Sequence, residues 1–235
     1  MDKRTLKDLL FEQVARIGKA VASPKRLELL ELLAQGEKSV EVLTRELGTD
    51  IKLTSAHLKT LKDAQLVSVR REGKYMVYRL SGSDVASLWV LLRSVAEEHL
   101  LELQGALAQM VSDPAQLAHV DRHTLLDQAR RGEIVMLDVR PETEFTTAHL
   151  PFARSMPVAD IERRLGELPR DKTIVAYCRG PFCVFADEAL AILHRHGLQA
   201  RKLQDGVSEW AAAGLPLTTH ATHATHATCA TRAAL

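Results

Sequence analysis

The residues best suited to chemistry are Cys178 and Cys183, with Arg179-Gly180-Pro181-Phe182 between them. The run before them, 173–177, is short, apolar and β-type; the segment after them, 184–196, has helical spacing and is closed by Gly197. A thiol in a strand-to-helix loop meets converging backbone N–H groups and the positive end of a helix dipole. Both favour a thiolate and hold an anion, and Arg179 adds a cation. Such a loop suits a thiolate, a persulfide, or an oxyanion such as thiosulfate or arsenate. Cys178 is the expected nucleophile, with a packed small residue as its alternative. Cys183 can attack a persulfide or sulfenate on Cys178 and close a disulfide; its alternative is a packed residue in the first helical turn.

At 235 residues the chain has room for two domains of ordinary size, about 100–200 residues each. Its composition, 46% hydrophobic and 26% charged, is that of a globular protein and excludes a disordered one. No apolar run reaches the ~18–20 residues of a membrane span. The start, Met1-Asp2-Lys3-Arg4, has no signal-peptide core, so a cytoplasmic protein without membrane contact is expected. Three cysteines, all late in the chain, make no disulfide framework, and no cofactor or bound metal is expected. The net charge is only +1, yet between Lys52 and Arg79 seven Lys and Arg stand against two acids. That segment is a candidate polyanion footprint; a solvated helix face is the alternative.

The elements that must position these residues fall into two sets. In the first, Leu6, Leu9, Leu10, Val14, Ile17 and Val21 predict a helix over 4–21. Ser23-Pro24 starts a second helix, which ends near Gly36. Ser39 caps a third, with Val40, Leu43 and Leu47 inward and Gly48 ending it; a fourth follows with Leu53, Leu58 and Leu61 inward. Two short helices joined tightly make a helix-turn-helix. Lys52, Ser55 and Lys59 share a face of the fourth helix, flanked by Thr54 and His57, and suit contacts to phosphates and base edges. Runs 66–71 and 75–80 form a hairpin whose tip and flanks carry Arg70, Arg71 and Lys74, so this half reads as a winged helix. Residues 83–111 predict one long helix, apolar on more than one side, for dimerisation.

In the second set, Ser112-Asp113-Pro114 breaks that helix. Helices over 124–131, 158–168, 184–196 and near 207 alternate with strands over 134–139, 173–177 and 200–203, which predicts a parallel α/β sheet. The tail from 218 repeats His-Ala-Thr; His220, His223, His226 and Cys229 are spaced for a soft metal, but terminal repeats of this kind are expected to be disordered.

Ser23-Pro24-Lys25-Arg26-Leu27-Glu28-Leu29-Leu30, the stretch Leu53–Val67, and Arg71-Glu72-Gly73-Lys74 with Tyr78-Arg79-Leu80 resemble the ArsR family over nearly all of residues 4–111. The resemblance implies a dimeric winged-helix repressor that binds a DNA operator, often under control of a metal or metalloid. The paired-cysteine metal motif of many members is missing at Glu37–Leu43. Of the zinc pattern on the last helix only His99-Leu100-Leu101-Glu102 matches. Zinc needs about four ligands, so this half has no evident sensor of its own.

Leu137–Ala153, with Asp138-Val139-Arg140-Pro141 and His149-Leu150-Pro151, is similar to the first signature of rhodanese domains. Asp205-Gly206-Val207-Ser208-Glu209-Trp210 with Gly214-Leu215-Pro216 is similar to the last. This resemblance covers about residues 116–217 and implies that Cys178 accepts a sulfane sulfur as a persulfide. It also implies that Asp138, Arg140, Glu144 and His149 hold the fold and frame the site. The loop Cys178–Val184 lacks the usual hydroxyl or arginine near its end, and the stretch from Cys178 to Gly197 is about two residues longer than common single-domain forms, which leaves arsenate as a substrate class beside sulfur donors.

The expectation is therefore a multidomain protein. A mainly-α winged-helix DNA-binding and dimerisation domain spans 1–112, an α/β rhodanese-like domain with a parallel sheet spans 116–217, and a low-complexity tail spans 218–235. Its expected partners are a double-stranded DNA operator, a second copy of itself, and a small sulfur-containing, oxidant or oxyanion effector. The expected function is transcriptional control, as a repressor, with sulfur or redox chemistry at Cys178 as the input. The alternative is a sulfurtransferase or arsenate-reductase-like enzyme tethered to a DNA-binding domain.

Overall fold

The computed structural model describes residues 2–110, 116–118 and 120–219. The expected helix break at 112–114 and the tail from 220 onward lie outside them, whereas Thr218, the first residue of the expected disordered tail, pairs antiparallel with His149.

The first unit starts with α1 (Lys3–Val21) and α2 (Pro24–Ala34). A two-residue strand β1 (Lys38–Ser39) leads into α3 (Val40–Leu47), where Ser39 accepts a hydrogen bond from the Val42 N–H at 3.4 Å. Gly48, in the left-handed region at φ 60°, turns the chain into α4 (Ile51–Asp63), which Asp50 caps through the Leu53 N–H at 2.9 Å. The wing is β2 (Val67–Glu72) and β3 (Tyr75–Leu80), with β1 added antiparallel to β3. Leu29, Leu30, Leu43, Leu58, Leu61 and Val67 fill the core. The helix-turn-helix and wing thus stand as the spacing predicts. One inward position of α4 differs: Leu53 is 44% exposed and Thr54 is fully buried in its place.

The long helix expected over 83–111 is two helices, α5 (Ser83–His99) and α6 (Leu101–Met110). Leu100 leaves helical geometry with φ −105° and ψ 106°, and the Gln104 side chain donates to the freed carbonyls of Glu97 and Glu98 at 2.9 and 3.1 Å. That side-chain cap makes the break stable.

The second unit is a four-stranded parallel sheet in the order β5-β4-β6-β7. Its elements are α7 (Arg122–Arg130), β4 (Ile134–Asp138), α8 (Glu142–Thr147), β5 (Arg154–Ser155), a 3₁₀ turn before α9 (Ile161–Arg164), β6 (Thr173–Tyr177), α10 (Phe185–Arg195), β7 (Ala200–Lys202) and α11 (Val207–Ala212). Leu137, Ile174, Ala176 and Leu190 build the core on one face of the sheet; Leu125, Met136, Tyr177 and Trp210 build it on the other. From β4 the chain goes to the β5 edge and from β6 to the β7 edge. The crevice beyond the carboxyl ends of β4 and β6 is therefore the topological switch point, where ligands gather in open α/β sheets.

Candidate functional site

Cys178 follows β6 at that crevice, and beside it Asp138 ends β4 and Arg140 follows it. Asp138 and Arg140 are fully buried and paired at 2.6 Å. The Arg140 guanidinium also donates to the Ala148 carbonyl at 2.8 Å and lies over the Tyr177 ring. A buried pair of this kind is costly to leave half made, so it fixes the loops on both sides of the crevice. Glu144, on α8, takes the Arg179 guanidinium in a fork at 2.5 and 3.0 Å. Burial opposes charge on Glu144, but Arg179 and Lys38 hold its carboxyl below the usual range. Burial likewise opposes charge on Arg179, and Glu144 and Glu46 raise it nonetheless. His149 packs its ring against Phe145, with Nδ1 2.9 Å from the Phe145 carbonyl.

The two thiols are free and unlike. Cys178 is 1% exposed, with Sγ 3.4 Å from the Cys183 carbonyl and 3.8 Å from the Gly180 carbonyl. Its S–H is placed to donate to one of these carbonyls, and the interaction with the Cys183 side chain together with burial pushes the Cys178 thiol well up. The same side-chain interaction, with the backbone N–H groups of Arg179 and Phe185, brings Cys183 down to about 7. The loop and the start of α10 thus favour one thiolate within the pair, with Cys178 the more deeply buried of the two sulfurs. Two thiols joined in this way titrate as a pair. Gly180 makes the loop possible: its φ is +136°, and a Cβ there would stand 3.2 Å from both Arg93 Nη1 and Glu209 Oε2. Gly206 is needed for a different reason, since a Cβ would sit 2.7 Å from the backbone of Cys178 and Arg179. A cavity of about 460 Å³ lined by Val139, Pro141, Pro157, Val158 and Phe185 opens beside the loop.

The face of this site meets the first unit. Arg179 bridges to Glu46 of α3 at 2.7 Å, and Lys38 of β1 bonds Glu144 at 2.7 Å. Gln35, at the end of α2, accepts from Arg140 at 2.8 Å and donates to Ser208 at 3.3 Å. Arg93 of α5, only 4% exposed, bonds Glu209 at 2.8 Å, and the Phe182 ring meets Trp89 edge-on with centroids 6.1 Å apart. Gln35, Lys38, Glu46 and Arg93 carry no site role in the sequence analysis, and Trp89 counts there only as an apolar position of the helix over 83–111. The one available signal was a basic residue, Arg93, inside an apolar helical run.

Of the expected DNA-contacting residues, Lys52, Ser55 and Lys59 are exposed on α4 and His57 is half-buried. Thr54 points inward instead: its hydroxyl bonds Thr49 at 2.8 Å and the Asp50 carbonyl at 3.0 Å, so it holds the start of α4 and does not face a groove. On the wing, Arg70 is forked by Glu37 at 2.6 and 2.9 Å and paired with Glu72 at 2.7 Å. Arg71 bonds the Gly73 carbonyl at 3.0 Å, and Lys74 lies over the Tyr75 ring. Among the described residues no helix is long and apolar enough to cross a membrane.

A winged helix-turn-helix of the DNA-binding kind, joined to an α/β domain with a cysteine loop at its switch point, defines a two-domain transcriptional regulator. Residues 23–69 match the bacterial regulatory protein, arsR family, and residues 121–213 match the rhodanese-like domain. The HTH-type transcriptional regulator Rv0324 of Mycobacterium tuberculosis is 43% identical over 211 residues, 90% of this chain and 92% of that protein. The chain belongs to the ArsR family of regulators, in a form that carries a rhodanese-like domain. A sulfurtransferase of Allochromatium vinosum is 30% identical over 86 residues, 36% of this chain and 78% of that protein. Among solved structures, the homodimeric winged helix-turn-helix DNA-binding domain (fragment 1–100) of Mb0332 from Mycobacterium bovis is 46% identical. It covers 43% of this chain and 93% of that one, with a TM-score of 0.40.

Proposed function

We propose that this regulator is an operator-binding repressor whose grip on DNA is set by sulfane sulfur or oxidation at the Cys178–Cys183 pair. The observation that carries this reading is the contact of the cysteine loop with the DNA-binding unit. Phe182 seats on Trp89 of α5, and Arg179 is tied to Glu46, two residues before the turn into α4. In the proposed chemistry the thiolate of the pair attacks the sulfane sulfur of thiosulfate, the S–SO₃ bond breaks, and sulfite leaves with a persulfide left on the protein. The second thiol then attacks the inner sulfur of that persulfide, closing a Cys178–Cys183 disulfide and expelling hydrosulfide. Either product changes the loop that holds Phe182 and Arg179.

A second copy is proposed to cover the apolar faces left open: Leu6, Leu9, Leu10, Phe11 and Val14 on α1, and Leu91 and Val95 on α5, each at least 42% exposed. The test is operator binding by the full chain before and after thiosulfate, persulfide, peroxide or arsenate, with mass spectrometry of both cysteines. Binding that is unchanged in samples shown to carry persulfide or disulfide sinks the reading. A second reading, a working sulfurtransferase brought to DNA, is favoured by the likeness to the Allochromatium protein. It predicts Cys178-dependent thiosulfate turnover with DNA affinity indifferent to the sulfur state.

A further inference from the structure

Trp89, Arg93 and Glu97 recur every four residues, so they share one stripe of α5, and that stripe faces the cysteine loop. Arg93 is the centre of it. Only 4% exposed, it donates from Nη2 to Glu209 Oε1 at 2.8 Å, and its Nε lies 2.9 Å from Glu97 Oε1. The centroids of the Trp89 and Phe182 rings stand 5.8 and 5.6 Å from its guanidinium. Glu31 of α2 also feels its charge. Glu209 carries the contact inward: its Oε2 accepts the Gly206 N–H at 2.6 Å. Gly206 in turn backs so closely on the cysteine that a Cβ there would stand 2.7 Å from the carbonyl oxygens of Cys178 and Arg179. The Arg93–Glu209 pair also walls the middle of the loop, since a Cβ on Gly180 would stand 3.2 Å from Arg93 Nη1 and from Glu209 Oε2. A buried carboxylate such as Glu209 is costly to leave without its cation.

We propose that Arg93 is a positioning residue of the cysteine pair, supplied by the DNA-binding domain. It acts through Glu209, Gly206 and Phe182 to hold the loop Cys178–Cys183 in the shape that seals Cys178 and leaves Cys183 the more open of the two. The cysteine site is then a composite: its loop belongs to the rhodanese-like domain, and the cation that braces the loop belongs to the winged helix. An ordered loop aims the N–H groups of Arg179 and Phe185 at Cys183, whose thiol they help to bring down to about 7. A loosened loop withdraws those N–H groups and uncovers Cys178, so the two thiols respond in opposite senses. General unfolding speeds the labelling of both, and loss of a positive charge alone slows both. The bearing of Arg93 on sulfur transfer rests on the sulfur-responsive reading above; the positioning does not.

The experiment uses the reduced full chain and no sulfur donor. Iodoacetamide alkylation of each cysteine is followed by peptide mass spectrometry across pH 5.5–9 in wild type and in Arg93→Gln. The Cys183 profile is expected to move up toward the free-thiol value by about one unit, which is about tenfold slower labelling at pH 6.5. Labelling of Cys178 at pH 9 is expected to become about tenfold faster, as local opening exposes it. Two unchanged profiles, or two that move in the same sense, overturn the proposal. Arg93→Lys keeps a charge beside Glu209 without the planar fork, and is expected to show the same opposed pattern at about threefold. If Arg93→Gln does not fold by circular dichroism, Arg93→Lys decides by the same criterion. Failure of thiosulfate to load a persulfide on the wild type counts against the sulfur reading alone, because alkylation needs no sulfur donor.

Discussion

At the scale of single residues, one loop gives the sulfurs of Cys178 and Cys183 different environments. Cys178 is sealed beside the Gly180 and Cys183 carbonyls; Cys183 is lowered by its interaction with the Cys178 side chain and by the N–H groups of Arg179 and Phe185. Replacing Cys178 with Ala removes that interaction, so the Cys183 pKa is expected to rise and its alkylation at pH 6.5 to slow by about three- to tenfold, read by peptide mass spectrometry. An unchanged rate shows that the backbone N–H groups alone hold the thiolate. Arg140 makes a contrasting case. Its charge is buried with Asp138 and shared with Gln35 and the Ala148 carbonyl. Arg140→Met leaves Asp138 charged and unpaired, a loss of about 3–5 kcal/mol that thermal unfolding measures directly.

At the scale of elements, α4 and the wing carry the face proposed for DNA, and the residues expected there are not equally exposed. Lys52 and Lys59 are exposed, whereas Thr54 is buried and fastens the helix start. Lys52→Ala is expected to weaken binding to all duplexes alike and to reduce the salt slope of the binding constant by about 1. Thr54→Ala is expected to lower the melting temperature, at a cost of about 1–2 kcal/mol, without altering that slope. A reduced slope in Thr54→Ala would return it to the DNA face. Arg70 is already shared by Glu37 and Glu72, so releasing it with Glu37→Gln is expected to tighten nonspecific DNA binding at low salt.

At the scale of the whole molecule, the contact between the two units is a set of buried ion pairs centred on Arg179 and Arg93. Its dependence on pH has two limbs of opposite sign. Glu144 is held below the usual carboxylate range, so its contribution is present above that range and is lost as pH falls through its lowered value. Glu31 is raised to about 7, so its contribution is present below the ordinary glutamate range and is lost as pH climbs toward neutrality. Docking, followed by small-angle scattering or by energy transfer between labels on the two units, is expected to be firmest in mildly acid solution. Glu31→Gln is expected to remove only the neutral limb. Glu46→Gln, which cuts Arg179 from α3, is expected to widen the scattering envelope and speed labelling of both cysteines; an unaltered envelope and labelling rate would show that the remaining contacts suffice.

The helix-turn-helix and the strand under the cysteine loop follow from local and periodic physics. The spacing of Leu43, Leu47, Leu58 and Leu61 with caps at Ser39 and Asp50 sets the helix-turn-helix, and the run 173–177 before Cys178 sets the strand under the cysteine loop. Periodicity was blind to the break at Leu100, because the cap that stabilises it is a side chain of the next helix. It was blind as well to the inward turn of Thr54, which depends on two neighbouring oxygens. The larger matter that only the tertiary structure decided is where the cysteine loop points. Gln35, Lys38, Glu46 and Arg93 are spread over four elements of the first unit, and nothing in their spacing marks them as partners of Arg140, Glu144, Arg179 and Glu209. Charges far apart in sequence find each other only when two packed surfaces exclude water between them. That exclusion gives the loop at Cys178 its contact with the DNA-binding unit.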